Sequence, residues 1–161
     1  MHILLKAIFF TTATCFFIQT GNAQKPVDKK PVAASQKFKA PKLYTSLGSF
    51  KDSSFVSVEQ GEVIIAMPLK IVDDKKNEYS ISSYQFLYRR RVVTEDEKTG
   101  KVSPASSISS SRFKTTPLPE LWVNTIREEL KSGEELYFFD VIAKDVQGRV
   151  MYASNLKIMV K

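Results

Sequence analysis

Residues 79–93 read Tyr79-Ser80-Ile81-Ser82-Ser83-Tyr84-Gln85-Phe86-Leu87-Tyr88-Arg89-Arg90-Arg91-Val92-Val93. Tyr84, Phe86 and Tyr88 share one parity; Gln85, Leu87 and Arg89 share the other. Side chains alternate across a strand, so this spacing predicts a long strand with an aromatic face. Near its end the run carries Arg89, Arg90 and Arg91, the candidate partner-binding residues. On a strand, Arg89 and Arg91 share one face and Arg90 lies opposite. Adjacent guanidinium groups can receive an acidic partner through paired hydrogen bonds. The competing reading is a strand end entering solvent beside acids such as Glu95 or Glu97.

Downstream, Glu95 to Lys101 reads as a charged hairpin loop with Gly100, and Val102 to Ser111 as a serine-rich return. A helix is expected over about 117–131. Thr116 is its cap and Pro117 sits in its first turn. Leu118, Leu121, Trp122, Thr125, Ile126 and Leu130 recur at three- and four-residue spacing and form one apolar stripe. Gly133 is the expected stop. Both parities of Glu135 to Lys144 are largely apolar, as in a strand covered on two sides. Asp145 to Gly148 is a turn, and Arg149 to Tyr152 and Leu156 to Val160 are two last short strands.

Upstream, Phe55 to Val58 is a short β-prone run and Glu59 to Glu62 a turn. Val63 to Val72 is rich in branched residues but contains Pro68, which suits an edge, a bulge or two short strands. The expectation is a mainly β, antiparallel sandwich-like domain over residues 43–161, with seven or eight short strands and one packed helix.

The N-terminus is of another kind. Lys6 precedes an apolar run from Ala7 to Ile18, and Gly21 and Ala23 are small residues before Gln24. That order is a secretory signal cleaved near Ala23. The run is about a dozen residues, shorter than the roughly 20 that span a bilayer. The expected location is therefore periplasmic or secreted. A second route is lipidation at Cys15, although Thr14 stands where a small Gly or Ala would be wanted.

The net charge of +7 is concentrated just after this signal. Residues 25–42 hold six lysines against Asp28, whereas residues 43–161 hold 17 Lys and Arg against 16 Asp and Glu. Residues 24–42 also contain Pro26, Pro31 and Pro41, and read as a flexible basic linker. The expected role is a solvated tether; if the segment binds, anionic lipid or polysaccharide outside the cytoplasm is the contact its charge suits, in preference to nucleic acid.

Cleavage also removes His2 and Cys15, the only residues of their types. Without them a Ser-His-Asp triad, a thiolate nucleophile and His/Cys zinc sites are excluded. No phosphate-cradling glycine loop is present. Carboxylate chemistry remains, with Asp73-Asp74, Glu95-Asp96-Glu97, Glu128-Glu129 and Glu134-Glu135 as candidates. All are runs in turns or at a helix end, the pattern of solvated faces. The expectation is a non-enzymatic protein with no cofactor and no metal. The alternative is a carbohydrate- or cell-wall-associated protein, including a carboxylate-based hydrolase, with Tyr84, Tyr88, Trp122, Tyr137 and Tyr152 as stacking rings.

The run from Glu129 to Arg149, with its Lys-x-Gly, aromatic strand with an Asp, Ala-Lys and glycine turn, resembles the end of the GldM/PorM family. That family serves gliding motility and type IX secretion in Bacteroidetes. The resemblance covers roughly residues 79–161. It implies a small β-sandwich-like envelope domain used for contact with another envelope protein or with itself, and it brings no catalytic residue. Family members also carry a transmembrane helix and several periplasmic domains, whereas the reading here is one domain behind a signal and linker.

Overall fold

The computed structural model describes residues 38–161; the expected signal and residues 24–37 of the expected linker lie outside them. Nine strands and two helices follow in the order β1 (Leu43–Leu47), β2 (Phe50–Lys51), β3 (Ser53–Val56), α1 (Val58–Ile64), β4 (Leu69–Asp73), β5 (Glu78–Glu95), β6 (Val102–Phe113), α2 (Glu120–Glu129), β7 (Glu135–Lys144), β8 (Val150–Tyr152) and β9 (Leu156–Val160). The domain is mainly β, with two helices. None of the described helices is long and apolar enough to cross a membrane.

The strands join in one sheet of order β2-β1-β4-β5-β7-β9-β3, with β6 added on β5 and β8 on β7. Every pairing is antiparallel except that of β3 with β9. β2 and β3 stand at opposite ends of this order, yet only Asp52 separates them in the chain. The two ends of the sheet therefore lie side by side, and the sheet is nearly closed. The gap between β1 and the segment after β8 is bridged as well: Ser154 N donates to Leu43 O at 2.9 Å and Thr45 N to Ser154 Oγ at 3.1 Å.

The alternation around Tyr84 sets the interior. Tyr84, Phe86 and Tyr88 are buried together with Leu136 and Phe138 opposite them on β7. Phe86 and Phe138 rings lie 4.8 Å apart. Each such side chain contributes roughly 1.5–3 kcal/mol when fully buried. On β7 the buried set changes parity, from Leu136 and Phe138 to Val141 and Ala143. The cause is a bulge. Ser83 and Gln85 on β5 face Ile142 and Phe139 on β7, so one residue opposes two. Asp140, one of the two, takes a left-handed φ of 47°. β7 is thus apolar on both parities partly because it exchanges faces, and Tyr137 and Phe139 stay half-exposed outside.

α1 replaces the expected strand-and-turn over residues 58–64. Ser57 Oγ accepts from Gln60 N at 3.3 Å, and Gln60 Oε1 accepts from Ser57 N at 3.1 Å, a reciprocal cap. Pro68 stands between α1 and β4, where it removes no ladder bond. α2 is shorter than the expected 117–131: Pro119, with ψ 145°, is its extended N-cap, and Leu130, with ψ 128°, leaves helical geometry at the other end. Thr116 is not its cap; its Oγ1 accepts from Leu69 N at 2.6 Å and ties the approach of α2 to β4. Val123 and Ile126 of α2 enter the core. Trp122 meets Phe86 and Phe113 edge-on at 5.6 and 5.7 Å.

Candidate functional site

β5 and β6 form the feature that leaves the body. β5 pairs with β7 only as far as Arg89 opposite Glu135, whereas its ladder with β6 continues to Glu95 opposite Val102. Beyond Arg89 the two strands are a projecting ribbon. Its tip is held by Asp96 Oδ1, which accepts from Thr99 N at 2.8 Å and Lys98 N at 3.0 Å. These bonds hold the Asp96 carboxyl below its usual range. Among the described residues β6 pairs with β5 alone, so the other edge of its 12 residues is open.

The three arginines separate as strand geometry requires. Arg90 points to the inner side and pairs with Glu129 of α2. Arg89 and Arg91 take the outer side. Arg89 Nε lies 3.8 Å from Glu135, which also receives Lys157 Nζ at 3.2 Å. Arg91 folds over Gly133, so that a Cβ on that glycine would come within 2.4 Å of Arg91 Nη1. No ion pair joins Arg91, Arg112 or Lys114 to a described carboxylate. Arg89 and Arg90 are thus internally paired, Arg91 packs over Gly133, and Arg112 on β6 is the cation beside the open edge.

The outer face runs across the sheet in rows. Ser110, Leu87, Tyr137 and Lys157 lie side by side, and Ile108, Arg89, Glu135 and Met159 form the next row. Farther out along the ribbon lie Pro104 and Val93. Ile108 is 55% exposed and Val93 71%. Tyr137 and Phe139 stack with centroids 5.1 Å apart.

On the inner side a cleft of about 320 Å³ opens between α2 and β6. Tyr88, Arg90, Ser109, Leu121, Trp122 and Thr125 line it. Leu121 is exposed, although it belongs to the apolar stripe of α2. Arg90 Nε is buried without a hydrogen-bond partner. Beneath, Tyr88 donates its hydroxyl to Glu134, which also accepts from Lys131 N and Arg91 N.

The carboxylate runs divide in the same way. Glu134 and Glu135, expected in solvent, are both buried. Three donors occupy Glu134 on the inner side, and Glu135 meets Arg89 and Lys157 on the outer side, so the two do not face one bond. Asp73 closes the β4–β5 turn by accepting from Asn77 and Lys75, which lowers its pKa. Among the described residues no three His, Cys, Asp or Glu side chains gather as metal ligands. Of the rings considered for stacking, Tyr84 and Tyr88 are buried and Trp122 is half-buried against the core, while Tyr152 is exposed. Sequence alternation places the arginines on their faces. The open edge and the cleft depend on which strands stop short, and no local signal carries that.

Among known proteins, no protein-family model matches the chain and no curated protein matches it.

Proposed function

We propose that the chain is an exported, non-catalytic binding module of the cell envelope that contacts another protein through the β5–β6 ribbon. The edge of β6 that is open among the described residues, with Arg112 on the strand and Lys114 just past its end and neither in an ion pair with a described carboxylate, is the observation that carries this reading. An exposed strand edge offers unpaired N–H and C=O groups to a partner, and exposed Ile108 and Val93 add apolar area beside it. The resemblance of residues 79–161 to the GldM/PorM end supports an envelope role, as a stand-alone relative of that domain. Export is supported by the n-, h- and c-region order before Gln24.

A photo-crosslinking residue replacing Ile108 tests the reading in envelope preparations. One defined protein is captured there, and none from a probe at Val146, which is exposed on a distant turn. Capture at both positions, or at neither, contradicts it. The mass of the recovered N-terminus tests export: a chain beginning at Gln24 agrees, and an acylated Cys15 does not.

A further inference from the structure

We infer that the groove between β6 and α2 takes an extended acidic peptide, which adds as a strand to the free edge of β6 and sets one large apolar side chain in the cleft beside Trp122. The inference rests on the binding-module reading above and names the chemistry of the partner.

Three features converge on this groove. Among the described residues β6 has no second neighbour, so its outward N–H and C=O groups are available to a strand about 4.8 Å away. Along the inner face of β6, Ala105, Ser107, Ser109 and Ser111 are small and stand opposite Val92, Arg90, Tyr88 and Phe86, and the row ends at Phe113, which meets Trp122 of α2. A larger residue at Ser109 would fill the space that is now the cleft. An added strand alternates as β6 does, so every second side chain points toward α2. The cleft floor is aromatic, with Tyr88 and Trp122, and Leu121 and Thr125 form its wall. That lining suits one Phe, Leu or Ile side chain.

Charge selects the rest of the peptide. Arg112 lies on β6 itself and Lys114 just past the strand end, while Arg91, one strand inward, folds away over Gly133. None has an ion pair with a described carboxylate. Of the acids on this part of the sheet, Glu129 and Glu135 pair with Arg90 and Arg89, Glu134 is occupied by three donors, and Asp140 accepts from Gln85, the residue opposite Arg112. A strand alternating apolar and acidic residues matches both sides of the ribbon, and a basic strand meets like charge.

The probe is a blocked ten-residue peptide alternating Val and Asp with one central Phe, titrated into the chain purified from envelope fractions. Trp122 is the only tryptophan, so its emission reports the cleft. The peptide binds and shifts that emission. The same peptide with Lys in place of Asp binds about tenfold more weakly or less. Ser109→Leu loses at least about tenfold in affinity by filling the cleft, and Ser109→Ala keeps it. The inference is overturned by equal binding of the Lys peptide, by unchanged affinity of Ser109→Leu, by binding that leaves Trp122 emission unaltered, or by self-association that covers β6. If these fail while Ile108 still captures an envelope protein, the groove assignment falls and the binding-module reading stands. If both fail, both fall.

Discussion

The hydroxyl of Tyr88 donates to the buried carboxylate of Glu134 at 2.5 Å. This bond joins the root of the projecting ribbon to the turn between α2 and β7. Glu134 is 2% exposed and also accepts from Arg91 N and Lys131 N. It is the fastening that sets where the ribbon leaves the body.

Removing one donor from a buried carboxylate costs more than a neutral hydrogen bond. Tyr88→Phe is therefore expected to destabilise by about 1–3 kcal/mol. Glu134→Ala, which leaves Tyr88 and two backbone N–H groups without their acceptor, is expected to cost at least as much. Urea unfolding at pH 7 measures both, and values within about 0.5 kcal/mol of wild type would show the bond to be dispensable.

Alkaline stability follows from the same interior. Burial pushes the Tyr84 hydroxyl up to about 12, and burial together with the Glu134 bond raises Tyr88 as well. A raised value means that the protonated form is the one the fold favours. The contribution of Tyr84 is thus complete below the ordinary tyrosine value near 10 and is lost as pH rises from about 10 toward about 12. Between these pH values the stability of Tyr84→Phe should decline less than that of wild type. Parallel decline would contradict the assignment.

Asp140 holds the β7 bulge in a left-handed backbone, and its carboxylate accepts from Gln85 Nε2 at 2.6 Å. Asp140→Gly keeps that backbone and loses only an exposed bond, so a change of about 1 kcal/mol or less is expected. Asp140→Val, β-branched at positive φ, is expected to cost about 1–3 kcal/mol. Equal stability of the two variants would argue against the bulge.

Gly133 has a φ of 87°, and Arg91 covers it. Gly133→Ala is expected to cost about 1–3 kcal/mol through strain and contact with Arg91. Adding Arg91→Ala removes the contact and leaves the strain, so a thermal-melt double-mutant cycle should recover part of the loss. Full additivity would place Arg91 elsewhere.

Much of this was legible in particular residues. The parity of Tyr84, Phe86 and Tyr88 places the interior, and the same parity separates Arg90 from Arg89 and Arg91. α2 was legible from its stripe, but its start was set by Pro119 and not by Thr116. α1 had a local signal, Ser57 three residues before Gln60, that the branched Val56, Val58 and Val63 concealed. The Asp140 bulge was hidden because β7 is apolar on both parities. Glu134 read as solvent-facing because two of its three donors, the Tyr88 hydroxyl and Arg91 N, lie 46 and 43 residues away. The free edge of β6 is a fact of topology: its serines would read the same with a neighbour on each side.

Amide hydrogen exchange along Val102–Phe113, read residue by residue by NMR, tests the central claim most directly. In the free chain, alternate amides should exchange fast because they face no strand, while those bonded to β5 exchange slowly. Adding the Val/Asp peptide should slow the fast set, leaving the outer residues Tyr137 and Lys157 unchanged. If the fast set stays fast with peptide bound, or if β6 is already protected throughout in the free monomer, β6 is not the edge through which this protein binds.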